Sequence, residues 1–422
     1  MASLEFIDYW PWREQRDEGA IEWTQDRVAP HVRGLPQIFW QDGVGWAEAN
    51  HWALEKVASE GAHLDTAKGL MKHLRAYACF LEHHQLDWRH FPIRLAERAV
   101  VRYRGHLIDQ IETGELSSST ARSRISAVIQ FYRHAARYDF VRPTSQMWRE
   151  RPVVLRFFDS VGFKRSLTRI TTDLAIPNLA VAGVRLEDGL MPLTDVHMTE
   201  LLTFTAKEDT AELHLMLTLG FFTGARLGTI TTLRIRNVES AREDPYLKGF
   251  FLVRVGPGTG VATKLNVEGD LLVPSMLLEE LKRYAYSVGR LKRESKASEA
   301  DRSLVFLTVR GNRYSNASVA SLMTRLRRKT AMAGLKFTDR FKFHQTRATY
   351  GTWLMKLALS ATTTAAAVEF VKNAMLHKHE ATTFRYVKFL ENSRGKQEAA
   401  KAFHEAFTGL NQRDWNRVDG GR

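Results

Sequence analysis

The sequence runs to 422 residues, too long for a typical single domain, and 44% of them are hydrophobic, so two or three domains can each bury a core. Lysine and arginine total 61 against 47 acids, a formal +14 that favours a polyanionic partner, with nucleic acid the leading candidate over a chain that is merely basic. No stretch has the apolar length of a membrane span or the pattern of a secretory leader, and one cysteine, Cys79, cannot form an internal disulfide or a zinc site.

Residues 1–50 carry many aromatics, among them Tyr9, Trp10, Trp12, Trp23, Trp40 and Trp46, with little periodicity. Short helices and loops packed on a neighbour are expected there, as an N-terminal extension of unknown role. Residues 51–150 read as a helical domain. From Thr66, Leu70, Leu74, Tyr77 and Leu81 recur at three- and four-residue spacing, with Cys79 expected as a small buried residue among them. In the segment Ser117 to Tyr138, Ile125, Val128, Ile129 and Tyr132 form an apolar stripe, and Ser119 or Thr120 is a candidate N-cap. Arg122, Arg124, Arg133 and Arg137 lie on the other faces, as a solvated surface or a DNA-binding one.

Residues 151–190 read as a linker with some structure of its own, including the extended-looking run LAVAGVRLEDG. A second domain is expected over 191–395. Thr194 or Asp195 precedes an apolar-periodic run as a helix start, and Gly224 breaks residues 208–237 into two helices. Residues 250–274 read as strands turning at Gly256, Pro257, Gly258 and Gly260, and MLLEELKRYAYSVGRLKRESK reads as one basic helix. Further helices are expected over SVASLMTRLRRKTAMAG and KFHQTRATYGTWLMKLALS.

Four features of the second domain combine chemically: Arg226 after the glycine turn, Lys264 beside the β-turn, the pair His344 and Arg347, and His377 followed nine residues later by Tyr386. Singly, each is ordinary: a surface arginine, a turn lysine, a helix-face pair and a core aromatic. Jointly they meet the needs of phosphodiester cleavage by a phenol. Tyr386 would attack in line. Arg226 and Arg347 would hold the non-bridging oxygens with forked donors. His344 and His377 would donate hydrogen bonds or shuttle the phenol proton. Lys264 would protonate the leaving 5′ oxygen. Cationic side chains would then stabilise charge without a metal or other cofactor. On one continuous helix His377 and Tyr386 would face opposite sides, so a break is expected between them, with Thr382 or Thr383 capping a short segment that carries Tyr386.

This ordered set resembles the active site of the tyrosine recombinases, the phage integrase family. TGAR followed by LRIRNV resembles its first arginine box, HQTR its second, and LH with a tyrosine nine residues on its third, while STARSRISAVIQFYRHA resembles the end of its core-binding domain. The resemblance covers roughly residues 51–395. Departures are Thr229 in place of an acid, Thr346 in place of leucine, MLH in place of LGH, and a long stretch from Arg347 to His377. Lys248 rivals Lys264 as the catalytic lysine.

The resemblance implies a mainly α fold with a small β-sheet: a helical core-binding domain and a mixed α/β catalytic domain closing as a C-shaped clamp around double-stranded DNA. It implies cleavage and rejoining through a 3′-phosphotyrosyl link, without ATP. It implies a homo-tetramer on paired sites, with accessory or partner recombinase proteins as further candidates, and a cytoplasmic setting, nucleoid-associated if bacterial. The tail over 396–422, with Ala399, Ala402, Phe403, Ala406, Phe407 and Leu410 on one side, is a candidate protomer-docking helix or packs on its own domain. The alternatives are a type IB topoisomerase, a telomere-resolving enzyme, and an inactive DNA-binding accessory protein.

Overall fold

The computed structural model describes residues 1–17, 20–26, 28, 31–143, 146–158, 164–177, 186 and 189–406. It divides into two compact units, residues 1–180 and 181–422, each with its own apolar core. The fold is mainly helical with small sheets, as expected. No helix among the described residues is long and apolar enough to cross a membrane.

The first unit corrects the expectation for residues 1–50, whose described residues up to Phe39 form strands rather than short helices. Strand β1 (Ser3–Tyr9) pairs antiparallel with β4 (Val32–Phe39), and between them β2 (Trp12–Asp17) and β3 (Ala20–Gln25) form a second ladder. Ala2, Leu35 and Ile38 are buried in the same core as the helices that follow. Those helices are α1 (Ala47–Ala58), α2 (Leu64–His83), α3 (Ala99–Glu112) and α4 (Ser118–Arg137). Asn50 of α1 seals β4, accepting from Ile38 N at 2.7 Å and donating to Ile38 O at 3.1 Å.

The stripe read on α4 is buried, and Leu74, Tyr77 and Leu81 of α2 are buried against it. Ser117 caps α4, its hydroxyl accepting from Thr120 N, where Ser119 or Thr120 was the expected cap. Cys79 is half-buried, its thiol donating to Ala2 O at 3.5 Å. The expected linker contains a hairpin, β5 (Glu150–Phe158) with β6 (Lys164–Thr172), while nearly all of LAVAGVRLEDG lies outside the described residues.

The second unit opens with α5 (Asp195–Glu208), capped by Thr194, whose hydroxyl accepts from His197 N. Helix α6 (Ala211–Thr223) is apolar on every side and runs through the core. It ends at Gly224, in the left-handed conformation at φ 63° that suits glycine at a helix terminus. Two short helices follow, α7 (Leu227–Thr231) and α8 (Ile235–Glu239), where one was expected. Strands β7 (Arg242–Glu243), β8 (Phe250–Val255) and β9 (Gly269–Pro274) make a three-stranded antiparallel sheet.

The basic run read as one helix is two, α9 (Ser275–Ala285) and α10 (Val288–Glu294), because Ser287 between them caps the second. Helices α11 (Asn316–Met332), α12 (Gln345–Ala361), α13 (Thr364–Ala374) and α14 (Glu380–Ala406) complete the unit. The side chains from residue 395 onward and everything after Ala406 lie outside the described residues, the apolar side of the tail among them.

Candidate active site

Three chain segments converge: the turn after α6, the start of α12 and the turn between α13 and α14. Helix α12 lies against α6, and the packing is tight at one point. A Cβ built on Gly220 of α6 would collide with the Thr346 hydroxyl and come within 2.9 Å of its Cβ. Thr346 is fully buried, and its Oγ1 has no hydrogen-bond partner among the described residues. The threonine thus fits because residue 220 is glycine. Thr346→Val is expected to stabilise the unit by about 1 kcal/mol, since an unsatisfied buried hydroxyl becomes a methyl of similar shape. Gly220→Ala is expected to destabilise it by about 1–3 kcal/mol through overpacking. Thermal denaturation reads both, with the two variants shifting Tm in opposite directions.

This close packing sets Arg347 under the preceding turn. Arg347 is 2% exposed, and its guanidinium donates through Nη1 to Gly224 O at 2.5 Å and through Nη2 to Met375 O at 2.7 Å. Arg226, the residue before α7, is half-buried and donates through Nη1 to Leu376 O at 3.4 Å. The two arginines therefore hold consecutive carbonyls of one turn, and that turn delivers His377. Each guanidinium has five N–H donors in all, a capacity suited to an oxyanion.

The α13–α14 turn is built by a six-residue hydrogen-bonded closure, His377 N to Lys372 O at 2.9 Å and Leu376 N to Asn373 O at 3.1 Å. Leu376 occupies its left-handed position at φ 52°, where glycine is the usual residue. This explains the geometry behind MLH in place of LGH. The strain, roughly 1–2 kcal/mol, is offset by burial of the leucine side chain, which is 8% exposed. A Cβ on Gly269, at the start of β9, would collide with Leu376 Cδ2, so the leucine occupies room that a glycine leaves.

His377 is buried, and its Nδ1 lies 2.8 Å from Thr383 Oγ1 on α14. The Tyr386 ring lies 6.1 Å from the His377 ring, inclined by 24°. The helix break expected between them exists, since α13 ends at Ala374 and α14 starts at Glu380. The expected cap does not: Thr382 and Thr383 lie inside α14, where Thr383 is fully buried beside His377. Nor is the segment short, for α14 has 27 residues, and Tyr386 itself is 0% exposed. Its ring rests on Gly351 of α12, where an added Cβ would stand 2.5 Å from Tyr386 Cε1 and 2.7 Å from Met375 Sδ. Tyr350, packed on Gly224, is a second buried phenol nearby, and burial pushes its pKa upward.

His344 is half-buried at the residue preceding α12, one turn from Arg347. Lys264 is exposed in a single 3-10 turn (Lys264–Asn266) of the β8–β9 connection. That connection enters β9 at Gly269, the residue under Leu376. Lys248 precedes β8 at the opposite end of the ladder, where Phe250 pairs with Pro274. The length of β9 separates the two ends, about 17 Å at the usual strand rise. Among the described residues no cluster of ligating side chains could hold a metal ion.

In the first unit, Arg122 is exposed, Arg124 is half-buried and donates to Gln110 Oε1 at 3.4 Å, and Arg133 pairs with Glu150 at 2.9 Å. Sequence reasoning missed the roles of Thr383, Gly351 and the carbonyls of Met375 and Leu376. Thr383 alone left a signal, three residues before Tyr386 and hence on the same helix face.

Comparison with curated proteins finds no match. Among solved structures, the chain is similar to the integrase of transposon Tn1549 in complex with transposon right-end DNA, at 14% identity and a TM-score of 0.49, covering 86% of this chain and 99% of that one. It is also similar to a lambda integrase dimer bound to a COC′ core site, at 13% identity and a TM-score of 0.47, covering 89% and 99%. Residues 192–392 match the family model described as the phage integrase family. That segment, a domain similar to the phage integrase family, holds every residue of the converging site.

Proposed function

We propose that this protein is a site-specific DNA recombinase that cleaves and rejoins strands through a phosphotyrosyl link to Tyr386. The observation that carries the reading is the joint hold of Arg226 and Arg347 on the two carbonyls before His377, with Tyr386 one ring contact further on. Tyr386 Oη attacks the phosphorus, a P–O bond forms to the phenol, and the bond to the 5′ oxygen breaks. The phenol proton leaves by way of His377 or water, and the 5′ oxygen takes a proton from Lys264. The charge on the non-bridging oxygens is met by the two guanidiniums, preorganised by their hold on the turn. The phosphodiester is kept as a phosphotyrosine, so rejoining by a 5′ hydroxyl needs no external energy source.

A fully buried Tyr386 adds a condition. A phosphate reaches the phenol only after α14 shifts its packing on Gly351 and Met375, so cleavage is coupled to rearrangement of that helix. Activity in a tetramer on paired duplexes follows from the same reading.

The test is a pool of nicked duplexes with randomised core sequence, incubated with the whole protein and recovered under denaturing conditions. A covalent adduct enriched for one sequence is expected. Relaxation of supercoiled plasmid by monomer, with no sequence enrichment, would replace recombination by topoisomerase activity. For the lysine, Lys264→Ala is expected to slow adduct formation by about 10²–10⁴-fold and Lys248→Ala to leave it unchanged. A duplex with sulfur in place of the bridging 5′ oxygen, whose thiolate departs without a proton, should restore Lys264→Ala. Failure of that rescue would remove the general-acid role.

A further inference from the structure

The β5–β6 hairpin stands apart from the cleavage chemistry. Its root is fixed in the first unit: Trp148, Leu174 and Ile176 are buried in that core, and Arg149 N donates to Asp173 Oδ1 at 3.2 Å. Beyond the root the ladder runs nine rungs, from Glu150↔Thr172 to Phe158↔Lys164, about 26 Å of strand. Val153 and Val154 are neighbours and so lie on opposite faces, yet they are 40% and 52% exposed, and Ile170 is 59% exposed. Neither face is covered at these rungs. The sheet has two strands, so its edges add no further ladder among the described residues. Such a ribbon is marginal in water by itself, which makes a binding partner a reasonable stabiliser.

The charge says which partner. The two strands carry five cations, Arg151, Arg156, Lys164, Arg165 and Arg169, against the single carboxylate of Glu150, and that carboxylate is already paired with Arg133. The register spreads them so that no rung holds two: Arg151 faces Thr171, Arg169 faces Val153, Arg156 faces Ser166, Arg165 faces Phe157 and Lys164 faces Phe158. The other exposed hairpin, β2–β3, carries two arginines against Glu14, Asp17 and Glu22, so positive charge is particular to β5–β6. Cationic residues on five of the nine rungs of a narrow ribbon suit a polyanion such as the phosphates that flank a groove, and the major groove admits a two-stranded ribbon.

We propose that the β5–β6 hairpin is a DNA-binding arm that engages the phosphates of duplex DNA, supplying affinity from a part of the chain remote in sequence from the cleavage residues. The proposal rests on the DNA-acting reading above.

The test uses the whole protein and a fluorescein-labelled 40-base-pair duplex, with affinity followed by anisotropy as salt is varied. The variant Arg151→Gln, Arg156→Gln, Arg165→Gln, Arg169→Gln keeps the ladder and removes charge. It is expected to bind roughly 10–100-fold more weakly and to lower the slope of log affinity against log salt by about 2–4, near 0.9 for each phosphate no longer neutralised. At saturating protein it should still form the covalent adduct. The reciprocal variant Thr168→Lys adds a cation at an exposed rung that has none, and should steepen the slope by about 0.9. Wild-type affinity and slope in the first variant, or no steepening in the second, would overturn the arm. Absence of salt-dependent binding by the wild type would overturn the DNA reading along with it.

Discussion

Tyr386→Phe is expected to abolish adduct formation on a nicked duplex while leaving the fold in place. The substitution keeps the ring that packs on Gly351 and removes one buried hydroxyl. The stability cost is about 1 kcal/mol, a Tm shift of roughly 2–4 °C for a unit of this size. The rate, in contrast, should fall below detection, because no other group can form the same ester in the same place. Tyr350→Phe is the matched control. It is also buried, shares α12 with Arg347, and is given no step in the proposed reaction, so its adduct should persist. Loss of the adduct in both variants would indicate that the region responds to any loss of a buried hydroxyl, and would remove the specific claim on Tyr386.

Arg347→Ala should show the opposite balance, with fold and reaction failing together. The guanidinium is buried and satisfies the carbonyls of Gly224 and Met375, and its removal leaves both without that donor. The cost is about 2–4 kcal/mol, or roughly 10 °C in Tm. Loss of a phosphate-binding fork adds about 10²–10³-fold to the fall in adduct rate. Arg347→Lys should recover little, since one ammonium cannot span two carbonyls as a planar fork does. Arg226→Ala separates the two effects. That side chain is half-buried and its bond to Leu376 O is long, at 3.4 Å, so its rate should drop with a Tm change within about 1–3 °C. Thermal denaturation alongside trapping kinetics reads this split. A large Tm loss for Arg226→Ala, matching Arg347→Ala, would make both arginines structural struts.

What the sequence made legible was local. The stripe on α4, the Thr194 cap and the Gly224 turn each follow from residues within one helical turn of each other, where spacing and capping chemistry act directly. The strands of residues 1–50 were not legible, because Ser3 finds its partner at Phe39 and the pairing depends on a core supplied by α1 and α2. The division of the α9–α10 run was concealed by an apolar pattern that continues across it, with Ser287 the only local mark. At the site, the order of the boxes was readable and the helix break before Tyr386 followed from geometry. The burial of Tyr386, the glycine beneath it and the approach of Thr383 to His377 depend on α12 and α14 meeting, which no local spacing reports. That Lys264 and Lys248 stand at opposite ends of the β8–β9 ladder likewise depends on a register that no local spacing reports.

The central claim is that the phenol of Tyr386 becomes the ester. The most direct measurement traps wild-type protein on the enriched nicked duplex, digests both protein and DNA, and locates the residual nucleotide by peptide mass spectrometry. The mass of a phosphonucleotide on the peptide containing Tyr386, fragmenting at that residue, is the predicted result. The same mass on any other residue, or a trapped complex with no covalent nucleotide, would contradict it.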